Sequence, residues 1–152
     1  MPTSRSALSP MERLLFLRQV SLFAGLSPVD LERVGSIAEE SGYADGEVIA
    51  AEGEFGEELH IVMSGAIRVV QDRAGSEYEL ARRTAGDVVG EMSIISRKPR
   101  IASLIAEGDV RTIRLAQREF ESILRERPSV ALAVIGVLAQ RLTEQTGQGI
   151  ET

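Results

Sequence analysis

The sequence predicts a mixed, mainly β fold: an eight-stranded β-roll or jelly-roll barrel, with helices before it, a short helix within it and two helices after it. Three observations carry this. From Tyr43 to Ala116 the chain runs in short apolar stretches, separated by turn signals at Asp45-Gly46, Glu52-Gly53, Ser64-Gly65, Ala74-Gly75 and Gly86. On either side of that region the apolar residues fall at helical spacing instead. At 152 residues the chain is long enough to bury one substantial core.

The elements follow in order. Residues 1–10 are polar and read as a flexible lead to a single domain over 11–152. Leu14, Leu15 and Leu17 open a helical region over 11–42. Within it Ser27-Pro28-Val29-Asp30 is a helix start: serine caps, proline takes the first helical position, and Asp30 can complete a capping box. Leu31, Val34, Ile37 and Ala38 give this helix an apolar face, with Gly42 as its stop. The roll over 43–116 takes Leu59–Met63 and Ala66–Val70 as separate strands about Ser64-Gly65. It likewise separates Ile101–Ala106 from Val110–Leu115 about Glu107-Gly108-Asp109, for about eight strands in all. The final helices span 117–146: a short one with Phe120, Ile123 and Leu124 inward, then a long one after Pro128 carrying Val130, Val134, Val137, Leu138 and Leu142. The first half of that last helix is apolar nearly all round, so it has contacts on more than one side.

Composition removes several functions. A formal net charge of −6 argues against a broad nucleic-acid surface. With no cysteine and one histidine, His60, neither a thiolate site nor a multi-histidine metal site can be built, so a metal-dependent jelly-roll enzyme fails. His60 reads as a strand residue, outward-facing or satisfied in the core. The acidic stretch Glu52-Gly53-Glu54-Phe55-Gly56-Glu57-Glu58 lacks the ligand cadence of a calcium loop. The longest apolar run, Val130 to Ala139, falls short of the ~20 residues of a membrane span, and the N-terminus lacks a signal-peptide core. The chain reads as cytoplasmic and non-enzymatic.

The stretch with chemistry in it is Gly86 to Ser103, Gly-Asp-Val-Val-Gly-Glu-Met-Ser-Ile-Ile-Ser-Arg-Lys-Pro-Arg-Ile-Ala-Ser. Gly90 lets a ligand approach the backbone, and a short helix would follow it, offering unpaired N–H groups to an anion. Arg100 can present a bidentate fork to phosphate oxygens. Glu91 would repel phosphate and suits a hydroxyl, so the ligand carries both a phosphate and a sugar.

These residues resemble the phosphate-binding cassette of cyclic-nucleotide-binding domains, which reads roughly Phe-Gly-Glu, a short helix, then Pro-Arg and two small residues. Gly90-Glu91 and Pro99-Arg100 match it at the family's spacing, and Leu22-Phe23-Ala24-Gly25-Leu26-Ser27-Pro28 resembles the family's N-terminal helical segment. The resemblance implies that Glu91 holds the ribose 2′-hydroxyl and Arg100 the cyclic phosphate. Gly90, Met92, Ile101 and Ala102 complete the ligand-binding set. Two positions depart from the pattern. Val89 replaces the usual phenylalanine. Ile101 replaces Ser, Thr or Ala, so only the backbone N–H groups of Ile101 and Ala102 can donate there. By the same resemblance the last helix swings over the base, with Gln145 and Thr146 near its edge, and residues 129–146 offer a homodimer contact. The implied ligand is cyclic AMP, ahead of cyclic GMP, in a sensor domain that stands alone or regulates a transporter, channel or signalling protein. Two other accounts stay open: a degenerate roll used for dimerisation or docking, and a truncated transcription regulator, since only Gly-Gln-Gly-Ile-Glu-Thr follows Thr146 and no helix-turn-helix is present in this chain.

Overall fold

The structure is a computed structural model that describes residues 8–90 and 97–150. Two helices open the fold, α1 (Pro10–Arg18) and α2 (Pro28–Gly35), joined through a 3₁₀ turn at Ser21–Phe23. Six strands follow among the described residues: β1 (Glu39–Tyr43), β2 (Val48–Ala50), β3 (Glu58–Arg73), β4 (Ser76–Arg83), β5 (Val88–Val89) and β6 (Ser103–Ala116). Helices α3 (Gln117–Glu126) and α4 (Pro128–Ile150) close the chain.

Both N-terminal helices are capped by local chemistry. At α1 the Ser9 hydroxyl accepts from the Glu12 N–H at 3.1 Å, and the Ser9 N–H donates back to the Glu12 carboxylate at 2.9 Å. At α2 the Ser27 hydroxyl accepts from the Asp30 N–H at 3.2 Å, as the sequence predicts. The reciprocal half of the expected box is absent from α2. The Asp30 carboxylate, 4% exposed, turns instead to the α3–α4 junction, where the Arg127 guanidinium donates to it at 2.9 Å and the Ser129 hydroxyl also donates to it. Beside it Arg33 pairs with Glu126 at 2.8 Å. The helix stop also differs from expectation. It falls at Gly35, not Gly42, because Glu39 to Tyr43 pair antiparallel with Arg114 to Val110 of β6. Glu40 receives Arg111 at 2.6 Å, fixing that register, so tertiary pairing overrides the helical reading of 36–42.

Among the described residues the sheet has six strands rather than eight, and it is not closed. Its order is β1-β6-β3-β4, with β2 also on β6 and β5 also on β3. The two missing breaks were the expected turns at Gly65 and Gly108. Neither reverses the chain. At 62–66 the β3–β6 register shifts twice, and both strands continue through as bent ribbons. Gly65 sits at φ +82°, where a Cβ would lie 2.3 Å from the Asp109 carbonyl oxygen. Its role is close approach of two backbones, not a hairpin.

Because β3 is covered on both faces, consecutive residues Leu59, His60, Ile61 and Val62 are all buried. Leu59 and Ile61 face a core shared with the helices, among Leu17, Phe23, Val34, Ile113, Phe120, Ile123 and Val130. Phe23 and Phe120 meet there edge to face, ring centroids 6.4 Å apart. Val62 faces a smaller core inside the roll with Ile67, Val89, Leu104, Ala106 and Val110. Among the described residues, no helix is long and apolar enough to cross a membrane.

Candidate functional site

The site forms where the segment after β5 meets the turn before β3. Arg100 is 7% exposed, unusual for a guanidinium, and its surroundings hold it in one orientation. Its N–H donates to the Glu54 carbonyl at 2.7 Å, and its carbonyl accepts from the Gly53 N–H at 2.8 Å. Next to it Phe55 and Pro99 form an isolated bridge, so the turn zips onto the strand-like exit of the segment. The side chain then reaches inward, and Nη2 donates to the Glu58 carbonyl at 2.9 Å. Burial pulls the guanidinium's pKa down, while the Glu54 and Glu58 carboxylates pull it back up. It remains a cation. Among the described residues no carboxylate is within ion-pair distance of it.

Gly90 follows β5, whose Val88 and Val89 pair with Ile61 and His60 of β3. Its φ is +89°, and a Cβ there would stand 2.9 Å from Arg100 Nη1 and 3.1 Å from the Glu58 carbonyl. The glycine is therefore required twice, by its conformation and by the guanidinium beside it. Glu91 and Met92 lie outside the described residues, as does the short helix expected after them. Ala102 is buried, whereas Ile101 stands 72% exposed, its carbonyl accepting from Gln71 Nε2 at 3.0 Å. Gln145 and Thr146 belong to α4, and their side chains lie outside the described set.

Sequence reasoning treated Gly53 and Glu54 as an ordinary turn and missed its part in holding Arg100. Even the side chains belong to the clasp: Glu52 accepts from the Asp72 N–H at 2.9 Å, and its own N–H donates to the Ser103 hydroxyl at 2.9 Å. The signal was present only as two acids flanking a glycine, a pattern common in solvated turns. On the other side Arg97, at φ +57°, pairs with Glu121 of α3, which links the end of the segment to the C-terminal helices.

His60 shares the roll-facing side of β3 with Val62 and is 2% exposed. Its Nδ1 lies 3.4 Å from the Thr112 hydroxyl, and its ring meets Tyr43 edge to face at 6.1 Å. It is the core-satisfied residue of the two positions the sequence allowed. Burial, with the positive charges of Arg100 and Arg114, pushes its pKa down to about 4. Folded His60 thus stays neutral where an unfolded histidine, near 6.5, takes a proton. The unfolded chain binds the extra proton, so stability is full above about pH 6.5 and is lost as pH falls toward about 4. Between about pH 7 and about pH 5 this should cost about 2 kcal/mol. Urea unfolding at the two pH values checks it: His60→Gln should lose less stability than the parent over that interval, and equal losses would contradict this assignment.

Among the described residues, a six-stranded antiparallel sheet with helices at both ends buries the Arg100 cation beside the left-handed Gly90, an arrangement able to receive an anion. Residues 41–127 match the cyclic nucleotide-binding domain. The chain belongs to that family. It is 31% identical over 110 residues to a cAMP-dependent protein kinase regulatory subunit of Blastocladiella emersonii, covering 72% of this chain and 27% of that protein. It is 32% identical over 124 residues to a cyclic AMP receptor protein of Thermus thermophilus, covering 81% of this chain and 57% of that one. The crystal structure of the Thermus thermophilus catabolite activator protein superposes with a TM-score of 0.75 at 31% identity, over 84% of this chain and 61% of that one. The chain thus spans between about a quarter and three fifths of the length of these relatives. Domains of this family are typically regulatory and non-catalytic.

Proposed function

We propose that this domain is a cyclic-nucleotide sensor whose ligand is cyclic AMP ahead of cyclic GMP. The observation that carries the reading is the buried, pre-oriented guanidinium of Arg100 beside Gly90. A cation held in a partly desolvated place, with its rotamer already chosen, binds an anion without first ordering the side chain. In this reading Arg100 takes the cyclic phosphate, the N–H groups of Ile101 and Ala102 assist, and Gly90 and Met92 let the sugar phosphate approach the backbone. Glu91 takes the ribose 2′-hydroxyl. The outward position of Ile101 supports it, since the branched side chain need not occupy the place beside the guanidinium. Helix α4, bearing Gln145 and Thr146, caps the base and reports occupancy, by as much as the ligand's affinity differs between arrangements.

Helix α4 also supports a partner. Leu132, Ile135 and Leu142 are 69%, 59% and 61% exposed, and with Gly136 and Ala139 they form one face opposite buried Val130 and Val134. We assign this face to a second copy of the chain.

The test is calorimetric titration with cyclic AMP, cyclic GMP and 5′-AMP. Cyclic AMP should bind at about micromolar Kd or tighter, roughly −8 kcal/mol, with 5′-AMP much weaker. No heat from any of the three, with a folded and ligand-free protein, would remove the sensor reading and leave a docking roll.

A further inference from the structure

We propose that Gln71 is a positioning residue of this site, holding the peptide between Ile101 and Ala102 so that its N–H meets a phosphate oxygen. The inference rests on the sensor reading above and names a residue of the roll that lies outside the Gly86–Ser103 stretch.

Gln71 lies near the end of β3, on the same row as Ile67 and Val69, which line the inside of the roll. Its amide is used at both ends. Arg73 Nε donates to Gln71 Oε1 at 2.8 Å, and Gln71 Nε2 donates to the Ile101 carbonyl at 3.0 Å. A guanidinium can only donate, so Arg73 fixes which end of the amide is oxygen and leaves the nitrogen for Ile101. Arg73 is itself held. Its guanidinium lies 3.7 Å over the ring of Tyr78, the β4 residue paired with Gln71.

The Ile101 carbonyl and the Ala102 N–H belong to one planar trans peptide and point in opposite directions. Anchoring the oxygen therefore aims the N–H. Among the described residues that N–H enters no loop or turn hydrogen bond, and Ala102 is buried. A buried donor calls for an acceptor, and a phosphate oxygen on Arg100 supplies one. The relay from Arg73 through Gln71 also has a single sense, so each hydrogen bond polarises the next and strengthens the donor at its end. The rest of this stretch is tied from the other side. The Gly53 N–H donates to the Arg100 carbonyl at 2.8 Å, and the Glu52 N–H donates to the Ser103 hydroxyl at 2.9 Å. Neither bond touches the Ile101–Ala102 peptide, and the exposed Ile101 side chain does little to anchor it. Among the described contacts, Gln71 sets the rotation of this peptide.

The experiment measures binding of cyclic AMP and of its two diastereomeric phosphorothioates. In each of these, sulfur replaces one exocyclic phosphate oxygen and accepts a hydrogen bond poorly. Gln71→Leu keeps most of the bulk and removes both amide bonds, and it should weaken cyclic AMP about fivefold to tenfold. In the parent, sulfur at the oxygen that meets the Ala102 N–H is penalised relative to cyclic AMP. In Gln71→Leu the penalty of that one diastereomer should shrink about threefold, while the other's stays. Arg73→Leu leaves the Gln71 donor in place but frees its amide, so it should show the same pattern at smaller size. Arg73 is exposed, so this variant carries the test should Gln71→Leu fail to fold, which thermal unfolding reports. Unchanged cyclic AMP binding in these variants, or weaker binding with both penalties unchanged, would overturn the inference while leaving the sensor intact. Failure of the parent protein to bind any cyclic nucleotide would overturn the sensor reading and this inference with it.

Discussion

Replacing Arg100 with alanine is expected to weaken cyclic AMP binding about a hundredfold to a thousandfold, because a charge-assisted pair in a partly desolvated site is lost from one side. The same substitution should leave the fold intact. Arg100 is held by its backbone to Gly53 and Glu54, and alanine keeps both of those bonds. Only the side-chain bond to the Glu58 carbonyl disappears, along with the desolvation of a guanidinium. Arg100→Lys separates charge from shape: a single ammonium keeps the cation but not the planar fork, so its affinity should fall between the two. Calorimetry on the three proteins, with thermal unfolding alongside, decides the matter. Parent-like binding by Arg100→Ala would mean that the phosphate is held elsewhere.

Gly65→Ala should be among the most destabilising single-methyl changes available in this chain, costing roughly 3 kcal/mol or more. Two costs combine. The residue sits at φ +82°, and the new Cβ would stand 2.3 Å from the Asp109 carbonyl and 3.0 Å from Val110 Cα. Both contacts are backbone, in a strand paired on its other side to β1, so neither can simply rotate away. Gly75→Ala supplies the comparison. Its φ of +84° is nearly the same, but nothing lies within 4 Å of a Cβ there. It should cost only the conformational part, about 1 kcal/mol. The difference between the two urea midpoints isolates the steric contribution, and similar losses at both sites would show that β3 and β6 can separate.

The same glycine shows what the sequence made legible. Alternation and turn residues located β2, β4, the start of β3 and the two outer ends of β6, and Ser27-Pro28 located a helix start, because these signals act within a few residues. Gly65 and Gly108 read as hairpin turns because a bulge and a turn use the same residue. Only the partner strand, more than forty positions away, distinguishes them. Asp30 misled in the same way. Its spacing from Ser27 suggested a local cap, and the buried partners it actually has, Arg127 and Ser129, lie at the far end of the chain. At the site, Arg100 and Gly90 were legible from the motif's spacing. The clasp formed by Gly53 and Glu54 was not, since backbone hydrogen bonds leave no mark on residue type.

The strand order also governs how the chain is made. β6 is bonded to β1, β2 and β3, and it is the last strand in the sequence. During synthesis Glu39 to Tyr43 leave the ribosome about seventy residues before their partners at Val110 to Arg114, a wait of several seconds at ~5–20 residues per second. Over that interval the β3–β4 hairpin is the one large pairing that can form, because its two strands are joined by a short turn. The helices that cover the other face of β3 are split in the same way: α1 and α2 come early, α3 and α4 only after β6. A growing chain halted before Ala116 therefore exposes the edge of β3 and the apolar residues Leu59 and Ile61 together. Such exposed edges and apolar surface are prone to aggregate, and the sheet is completed by the strand that arrives last.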